Sequence, residues 1–303
     1  MGGLPLAARQ RVERQRASGV TGSFLSAPAA ASVKSAGLIP VGEVFGCLVM
    51  NLGWSGSGCA WWSSGGGFLS GWGTSPVTTS GSGDQRTSFA PYVRGFEAAW
   101  HGAVDRMLAE ARELGAHGVV GVRMGRARLD GSAWEFTALG TAVSSSDPDL
   151  VPFPTKEGHV WCTSLSAEDC ASAILSGYLP YEMVLGISVS TKHEDMELKQ
   201  QRASWTNTEV TGMTYLIQAA RDESRARIEA SATHTGGAEL VITQMDLSEF
   251  ETQCGMQDGR DLHAESVVIG TTLIPLPNFH RRAETSRVLT VLPLRDLAAR
   301  GGR

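Results

Sequence analysis

The sequence predicts an α+β protein made of two tandem units, each a small α/β sandwich in which a long helix covers an antiparallel sheet. Three observations lead to this prediction. The chain contains an internal duplication, both copies have the same expected order of helices and strands, and 42% of the 303 residues are hydrophobic. A chain of this length and composition can bury two cores of ordinary size.

The duplication is clearest between residues 24–50 and 164–190, which align without a gap when the numbering is shifted by 140. A repeated segment of this kind is typical of proteins that use one structural unit more than once. The identical pairs are Leu25/Leu165, Ser26/Ser166, Ala27/Ala167, Ala31/Ala171, Ser32/Ser172, Gly37/Gly177, Pro40/Pro180, Val44/Val184, Gly46/Gly186 and Val49/Val189.

Each copy begins with a short helix that we expect to start at a serine and end at a glycine. Ser26 and Ser166 are N-cap residues, and Asp169 completes a capping-box variant in the second copy. Gly37 and Gly177 stand where a left-handed C-terminal cap forms. The two copies therefore share their first helix signal.

A strand follows each short helix, over 41–50 in the first copy and 181–190 in the second. Gly46 and Gly186 occupy matching positions inside these strands. A glycine within a strand indicates either a bulge or the close approach of another backbone segment.

A long helix comes next in each copy, and two strands then close the unit. Apolar residues recur at steps of three and four along the first helix, and a weaker stripe marks the second. The stripes are Phe96, Trp100, Val104, Met107, Ala111 and Leu114, then Met213, Ile217, Ala220, Ser224 and Ile228. Gly115 and Gly236 end the helices and align at a shift of 121. The closing strands are expected at 118–128 and 135–143, then at 239–250 and 265–276, where Glu135/Glu265 and Gly140/Gly270 align at a shift of 130.

The parts outside the two copies complete the expected domain organisation. It comprises a disordered N-terminal arm (1–22), a first domain (23–145) with a Gly/Ser/Trp-rich insertion (53–88), a linker (146–160), a second domain (161–276) and a basic C-terminal tail (277–303).

Charge and cysteine content narrow the class of protein. The net charge of -5 argues against a nucleic-acid-binding protein, which would carry a basic face. The longest apolar stretch, 37–50, is too short to span a bilayer, and no secretory signal precedes it. The five cysteines show no paired spacing and indicate reduced thiols, with Cys47 in a core position because it aligns with Ile187. We therefore expect a soluble cytoplasmic protein.

The first copy resembles the YbjQ-like family of small bacterial proteins, often labelled heavy-metal-binding domains. The resemblance rests on LGAHGVVGVRM at 114–124 and GTAV at 140–143, and LSAPAAASVKSAGLIPVGEVFG at 25–46 resembles the family version with an extra N-terminal helix. The second copy is a divergent relative, with TGGAELVITQM at 235–245 and GTTL at 270–273.

The resemblance implies a compact α+β unit, YbjQ-like or dodecin-like, that assembles into a ring-shaped pentamer with short strands paired between neighbouring subunits. It supplies no agreed catalytic residues. A dodecin-like carrier of a small ligand is a more distant alternative. The chain also lacks the G-x-S-x-G elbow and the phosphate-binding loop, so we predict that it is not an enzyme.

The strongest candidates for metal ligands lie on the long helix of the first copy. Glu97, His101 and Asp105 are spaced by four and share one helix face, where they could hold zinc, copper or nickel when several subunits converge. The alternative is a solvated polar face, and the matching positions of the second copy keep one possible ligand, Asp222. The turn at 193–197 is a weaker candidate for a divalent ion, with a solvated loop as the alternative.

The insertion at 53–88 is the most unusual stretch of the sequence. Its aromatic residues are Trp54, Trp61, Trp62 and Trp72, set among glycine and serine. Disordered segments contain few aromatics, so these residues predict a contact surface for a partner or for self-association. The alternative is a poorly ordered loop with incidental aromatics.

Together these observations predict a non-catalytic, ring-forming homo-oligomer of the YbjQ-like family that binds heavy-metal ions. The alternative is a structural scaffold without metal, which acts through the Trp-rich insertion and through its sheet edges. Neither hypothesis involves nucleic acid or a membrane as a partner.

Overall fold

The computed structural model of the chain describes residues 5–18, 21–53, 75–80, 89–147, 150–151, 159–253 and 259–276. Its helices are α1 (Leu6–Ser18), α2 (Ala27–Ser35), α3 (Ala90–Glu113), α4 (Ala167–Leu175), α5 (Met196–Arg202) and α6 (Thr211–Thr235). Its strands are β1 (Ile39–Asn51), β2 (Val77–Thr79), β3 (Gly118–Asp130), β4 (Ala133–Ser144), β5 (Trp161–Cys162), β6 (Tyr178–His193), β7 (Glu239–Gln253) and β8 (Arg260–Pro275).

The strands form two four-stranded sheets, which confirms the α+β class. Sheet A has the order β1-β4-β3-β5, and sheet B has the order β2-β6-β8-β7. The three long strands of each sheet are antiparallel and follow one scheme, with the last strand of the half in the centre. The expected order of short helix, strand, long helix and two strands is therefore present in both halves.

The helix caps follow the sequence signals. The Oγ atoms of Ser26 and Ser166 each accept a hydrogen bond from the backbone N–H three residues later, at 3.3 and 3.0 Å. Gly37 and Gly177 have φ angles of 83° and 94°, a left-handed conformation that glycine adopts at low cost. Asp169 differs from the capping-box prediction, because its carboxylate accepts from the Ser166 hydroxyl at 2.8 Å.

The long helix of each half lies directly on the first strand of its sheet. A Cβ atom added at Gly46 would lie 1.9 Å from the carbonyl oxygen of Ala103, and one at Gly186 would lie 2.0 Å from that of Ser224. Ala103 and Ser224 align at the same shift of 121 as the helix-ending glycines. Close backbone approach is therefore the correct reading of the two glycines, and the bulges of β1 and β6 fall nearer the starts of the strands.

The two halves share their largest buried cluster, which surrounds α3. One side of α3 packs on sheet A, and the cluster continues from its other side to the face of sheet B opposite α6. The layers therefore follow the order sheet A, α3, sheet B, α6. The members from α3 include Phe96, Trp100 and Met107, and those from sheet B are Met183, Leu185, Ile187, Val189, Val267 and Ile269.

The N-terminal segment departs from its prediction. Residues 6–18, expected to belong to a disordered arm, form α1, which buries Ala8 and Val12. Arg11 forms an ion pair with Glu110 of α3, whose side chain is 2% exposed. Arg11 thereby neutralises a buried carboxylate, a role that the sequence did not predict.

Several predicted features lie outside the described residues. They are Trp54, Trp61, Trp62 and Trp72, Cys59 and Cys254, the tail 277–303 and most of the linker 146–160. The predictions made for them stay predictions. Across the ranges that the structure does describe, no helix combines the length and the apolar character needed to cross a membrane.

Candidate functional site

The predicted metal ligands on α3 do not form a cluster within one chain. His101 and Asp105 are exposed, and the His101 ring stands edge-on to Trp100 with 4.9 Å between ring centroids. The Oε1 atom of Glu97 lies 3.3 Å from Nη1 of Arg227. The described residues contain no group of three or more His, Cys, Asp or Glu side chains placed to hold a metal ion. This donor set does not fit a metal by itself, so metal binding stays a prediction.

The turn at 193–197 is part of a buried polar network. Nδ1 of His193 lies 2.8 Å from Oδ1 of Asp261, and Nζ of Lys192 lies 3.0 Å from Oδ2 of Asp195. Burial opposes the charge of Asp195, but N–H donors including Leu198 and the ammonium of Lys192 outweigh it and lower the pKa of Asp195. These groups fix the start of α5, and the alternative of a solvated loop does not describe them.

The described cysteines behave in two ways. Cys162 and Cys170 are fully buried, and burial raises the pKa of each thiol to about 12, which keeps it protonated. Cys47 is only partly buried, so its assignment to the core is wrong. Its Sγ donates to Oε1 of Glu135 at 3.2 Å, whereas the aligned Ile187 is 0% exposed.

Cys47 and Ile187 differ in exposure because the two matching sheet faces on which they lie are covered to different extents. On sheet B the face opposite α6 carries Ile187 and Val189, both at most 1% exposed because α3 covers them. The matching face of sheet A, which we call the outer face, carries Phe45, Cys47 and Val49. Phe45 and Cys47 are partly exposed and Val49 is 53% exposed. In the described part of the chain this outer face remains largely open.

A buried carboxylate anchors sheet B to the first half. Glu265 is 3% exposed, and its two oxygens receive the Tyr92 hydroxyl at 2.5 Å and the Arg126 guanidinium at 2.8 Å. Burial and then the charge of Glu265 raise the pKa of Tyr92 above its usual range. The matching residue of sheet A, Glu135, is half-exposed on the outer face. The shift of 130 aligns the two glutamates, but no sequence signal marks Tyr92 and Arg126, which have no counterpart in the second copy.

The second half also contacts the first through a sheet edge. Residues 161–165, the second lead segment, run parallel to β3, with Val122 N donating to Thr163 O at 2.9 Å and Thr163 N donating to Val119 O at 3.0 Å. Trp161 in this segment is 0% exposed. The segment is therefore an added strand on sheet A.

The first copy has a matching lead segment, residues 21–25. Phe24 N donates to Thr141 Oγ1 at 3.1 Å, and in the second copy Ser164 N donates to Thr271 Oγ1 at 3.1 Å. The two lead segments therefore leave their own sheets in the same way. The first lead segment is nevertheless largely exposed, with Phe24 at 49%.

The matching edge of sheet B is β7. It occupies the position in sheet B that β3 occupies in sheet A, and no strand pairs with its outer side in the described ranges. It carries exposed apolar side chains at Ile242, Met245 and Phe250, which are 42%, 39% and 37% exposed. Long exposed edges of this kind are templates for strand addition.

The opposite edge of sheet A is closed by side chains. Gln15 Nε2 donates to the carbonyl of Glu43 at 2.9 Å, and Phe45 N donates to Glu110 at 3.1 Å. Arg11 and Arg106 donate to the carbonyls of Phe45 and Cys47. Outward backbone groups of β1 at Glu43, Phe45 and Cys47 are thus occupied, whereas residues 190–192 of β6 pair with β2.

The fold is thus that of an α+β protein with an open sheet face and an open sheet edge, and part of it is similar to a known protein family. Residues 87–146, which span α3, β3 and β4, match the model of the YbjQ-type family described as "Putative heavy-metal-binding". The resemblance found in the first copy is thereby confirmed for this segment.

A curated relative is also similar to the chain. It is the encapsulin nanocompartment protein Rv1762c of Mycobacterium tuberculosis (strain ATCC 25618 / H37Rv), 29% identical over 158 residues. The match covers 51% of this chain and 59% of the relative, so the chain spans little more than half of that protein. No solved structure matches the chain.

Proposed function

We propose that this chain is a non-catalytic, self-associating protein whose copies join through the outer face of sheet A and the open edge of β7. The observation that supports it is the contact between the halves. The second half uses a sheet face and a lead segment to dock on the first half, and the matching surfaces at the two ends of the chain are open. A contact between unlike surfaces that repeats from copy to copy closes into a ring when the rotation allows it.

The edge contact can be stated residue by residue. The first lead segment of one copy adds to β7 of the next, next to Leu240 and Thr243, which match Val119 and Val122 of β3 at the shift of 121. Backbone hydrogen bonds supply the affinity in such strand addition. Phe24 and Leu25 lose their exposure in the assembly.

The face contact buries the apolar part of the outer face. Phe45, Val49 and Leu139 lie on this face, as the pairing of Phe45 with Leu139 across β1 and β4 shows. Glu135 stands among them and gives the contact a polar element. The resemblance to the YbjQ-like family favours a pentamer of chains, which contains ten units.

The mass of the particle in solution tests this proposal. We expect light scattering to give a mass several times 32.1 kDa at micromolar concentration. Val49→Asp, at a 53% exposed position, should keep the fold and dissociate the particle. Leu175→Asp on α4, at a 60% exposed position that belongs to neither the outer face of sheet A nor β7, is the matched control and should leave the mass unchanged. A wild-type monomer at that concentration overturns the proposal.

A second proposal concerns a partner. The relative is named as an encapsulin nanocompartment protein, and the match over 158 residues supports association of this chain with such a compartment. Sedimentation of the tagged chain from its own cells, followed by electron microscopy, should find it in compartment-sized particles. Recovery of the chain solely in particles of its own mass contradicts this proposal.

The family description supports a third proposal, a metal ion held between copies. His101 and Asp105 are exposed side by side on α3, so a neighbouring chain would have to complete the ligand set. Zinc, copper and nickel are the ions to test, because imidazole is a good ligand for all three.

A further inference from the structure

The long helix of the second half, α6, lies on a different kind of surface from the long helix of the first half. Both helices approach their strand equally closely, at Gly46 and at Gly186. Around that contact, sheet A presents large side chains to α3, whereas the aligned side chains of sheet B under α6 are small. The aligned pairs are Leu48/Ser188, Met50/Ser190, Trp134/Ala264 and Phe136/Ser266. The second half therefore makes the same backbone contact with much less apolar side-chain volume around it.

Two of the serines under α6 are buried without a hydrogen-bond partner. Ser188 and Ser190 are 0% exposed, and their Oγ atoms have no partner among the described residues. They face α6, because they alternate along β6 with Ile187 and Val189, which pack towards α3. A hydroxyl that loses water on folding and gains no partner opposes the packing of the layer that covers it. Opening of α6 returns both hydroxyls to water.

α6 has little apolar burial to offset this cost. It buries five of its 25 residues, whereas α3 buries ten of its 24. The apolar contacts of α6 are divided into a cluster around Leu216 and a cluster around Ile228. The pair Ser224 and Ser266, with 2.8 Å between the Oγ atoms, lies between the two clusters. α3 is also packed between two sheets, while in the described part of the chain a sheet covers α6 on one side only. α6 is thus the more weakly held of the two long helices.

The two ends of α6 are connected to the rest of the chain in ways that permit movement. Residues 203–209, which join α5 to α6, are all exposed. Gly236, which follows α6, has a φ angle of 75°, and glycine changes such a conformation at low cost. The polar contacts of α6 with other elements include Arg227 Nη1 with Glu97 Oε1 at 3.3 Å, a pair that is only partly buried. Ion pairs with this much access to water add little stability. The helix can therefore move without displacing β6 or β7.

We propose that α6 is a strap that opens from sheet B as one unit while α3 and both sheets stay folded. A helix that buries little surface can open cooperatively at a lower free energy than that of global unfolding. The open state uncovers the side of sheet B that carries the serines together with Val184 and Val268. The chain thus has a second sheet face that becomes accessible only when α6 moves. α6 belongs neither to the outer face of sheet A nor to β7, so its opening does not depend on the proposed assembly.

Hydrogen–deuterium exchange of the full chain, measured by mass spectrometry on peptides from α3 and α6, tests the strap. The slowest amides of α6 should exchange at least about a hundredfold faster than those of α3, because they exchange through the local opening. The α6 peptides should share one urea dependence, which is weaker than that of global unfolding because less surface becomes exposed. Exchange of α3 and α6 at one common rate overturns the proposal, and so does exchange that spreads gradually inward from the ends of α6.

Serine variants connect the opening to the surface under α6. Ser188→Ala and Ser190→Ala remove unsatisfied hydroxyls and should each slow the exchange of α6 about fivefold, the ratio that corresponds to about 1 kcal/mol. Ser266→Ala leaves the Ser224 hydroxyl without its partner and should accelerate the exchange of α6 by a similar factor. An unchanged rate in both Ser188→Ala and Ser190→Ala overturns the proposal.

Tyr92→Phe is the matched control for the rest of the fold. It removes a hydrogen bond between α3 and Glu265 that lies on the other side of sheet B and persists when α6 opens. Global unfolding becomes easier, so the exchange of α3 should accelerate about fivefold while that of α6 stays unchanged. Acceleration of both helices by Tyr92→Phe would show that α6 leaves sheet B only when the whole chain unfolds.

Discussion

The outer face of sheet A and the matching face of sheet B are built from aligned residues, yet one is open and the other is buried. Val189 is 1% exposed and Val49 is 53% exposed, and Glu265 is buried in an ion pair while Glu135 is half-exposed. The lead segments differ in the same sense, with Trp161 buried and Phe24 exposed. The arrangement of the long strands does not explain the difference, because the three long strands of both sheets follow the same order.

Burial of a sheet face in this fold therefore depends on which half the face belongs to, and not on the residue types alone. The inner residues of sheet B pack against α3 of the first half, whereas in the described part of the chain the outer face of sheet A has no covering layer of that kind. Open surfaces that match buried ones are candidates for contacts between copies. The experiments below change one residue of a matched pair at a time and proceed from the largest expected effect to the smallest.

Removal of the buried glutamate should have the largest effect on stability. Glu265→Ala leaves the Arg126 guanidinium and the Tyr92 hydroxyl without their acceptor, and we expect a loss of about 3–5 kcal/mol in the free energy of unfolding. Glu135→Ala on the outer face should cost less than about 0.5 kcal/mol. Urea unfolding of both variants measures the difference, and equal losses would refute the inequivalence of the two faces.

Acid should destabilise the second half through His263, which stands where sheet A has Ala133. Burial lowers the pKa of His263 to about 4, from an unfolded value near 6.5. As the pH falls through this window the unfolded chain takes up the proton first, so stability is lost on acidification and levels off below pH 4. The loss should reach about 3 kcal/mol by pH 4. His263→Gln should reduce the change in the urea unfolding midpoint between pH 7 and 4. An unchanged pH dependence would contradict the role of His263 in the acid destabilisation.

The matched glycines should respond alike, because both helices lie directly on their strands. Gly46→Ala and Gly186→Ala each place a Cβ within 2.0 Å of a helix carbonyl oxygen, and each should lose about 1–3 kcal/mol. Gly53→Ala, where an added Cβ meets nothing within 4 Å, is the control. Thermal unfolding followed by circular dichroism provides the measurement. A clear loss in one half alone would show that the helices are held differently.

Self-association through the open edge of β7 should be weakened more by proline than by alanine at position 243. Thr243→Pro removes the N–H group that matches the donor of Val122, and we expect self-association to weaken about tenfold. Thr243→Ala keeps the N–H and should associate as the wild type does. Sedimentation across a concentration series gives both dissociation constants, and indistinguishable values would remove β7 from the interface.

Metal binding should have the smallest effect on the fold. If copies share an ion on α3, elemental analysis of the purified protein should find stoichiometric zinc, copper or nickel, and His101→Ala should remove it. The stability of the monomer should change by less than about 0.5 kcal/mol, because His101 is exposed. Asp222→Ala on α6 is the matched control. Metal retained by His101→Ala excludes this site.

Much of the fold could be predicted because its signals are local. Ser26 and Ser166 cap helices through their own hydroxyls, and Gly37 and Gly177 adopt the left-handed conformation that ends them. The glycines at 46 and 186 predict the close approach of another backbone segment but do not identify that segment. Each of these features depends on residues near in sequence or on a backbone conformation that few residue types adopt.

The surfaces of the candidate site could not be predicted, because they depend on how the halves stack. Cys47 aligns with a core isoleucine, but its environment is fixed by the absence of a covering layer in the described chain. Arg11 pairs with Glu110, which lies 99 positions later in the chain, and no local sequence pattern marks that pair. Arg126 and Tyr92 have no matching pair in the second copy, so the alignment of the two copies gives no signal for them.

The side chains that occupy the backbone of β1 have a consequence for growth. If copies associate as proposed, β7 accepts a new strand whereas side chains occupy outward groups of β1, so subunits would add in a single direction. Such polarity disfavours the two-ended stacking that leads to fibrils. A glutamine, two arginines and a buried glutamate therefore act as a stop for sheet extension at the amino-terminal end of the molecule.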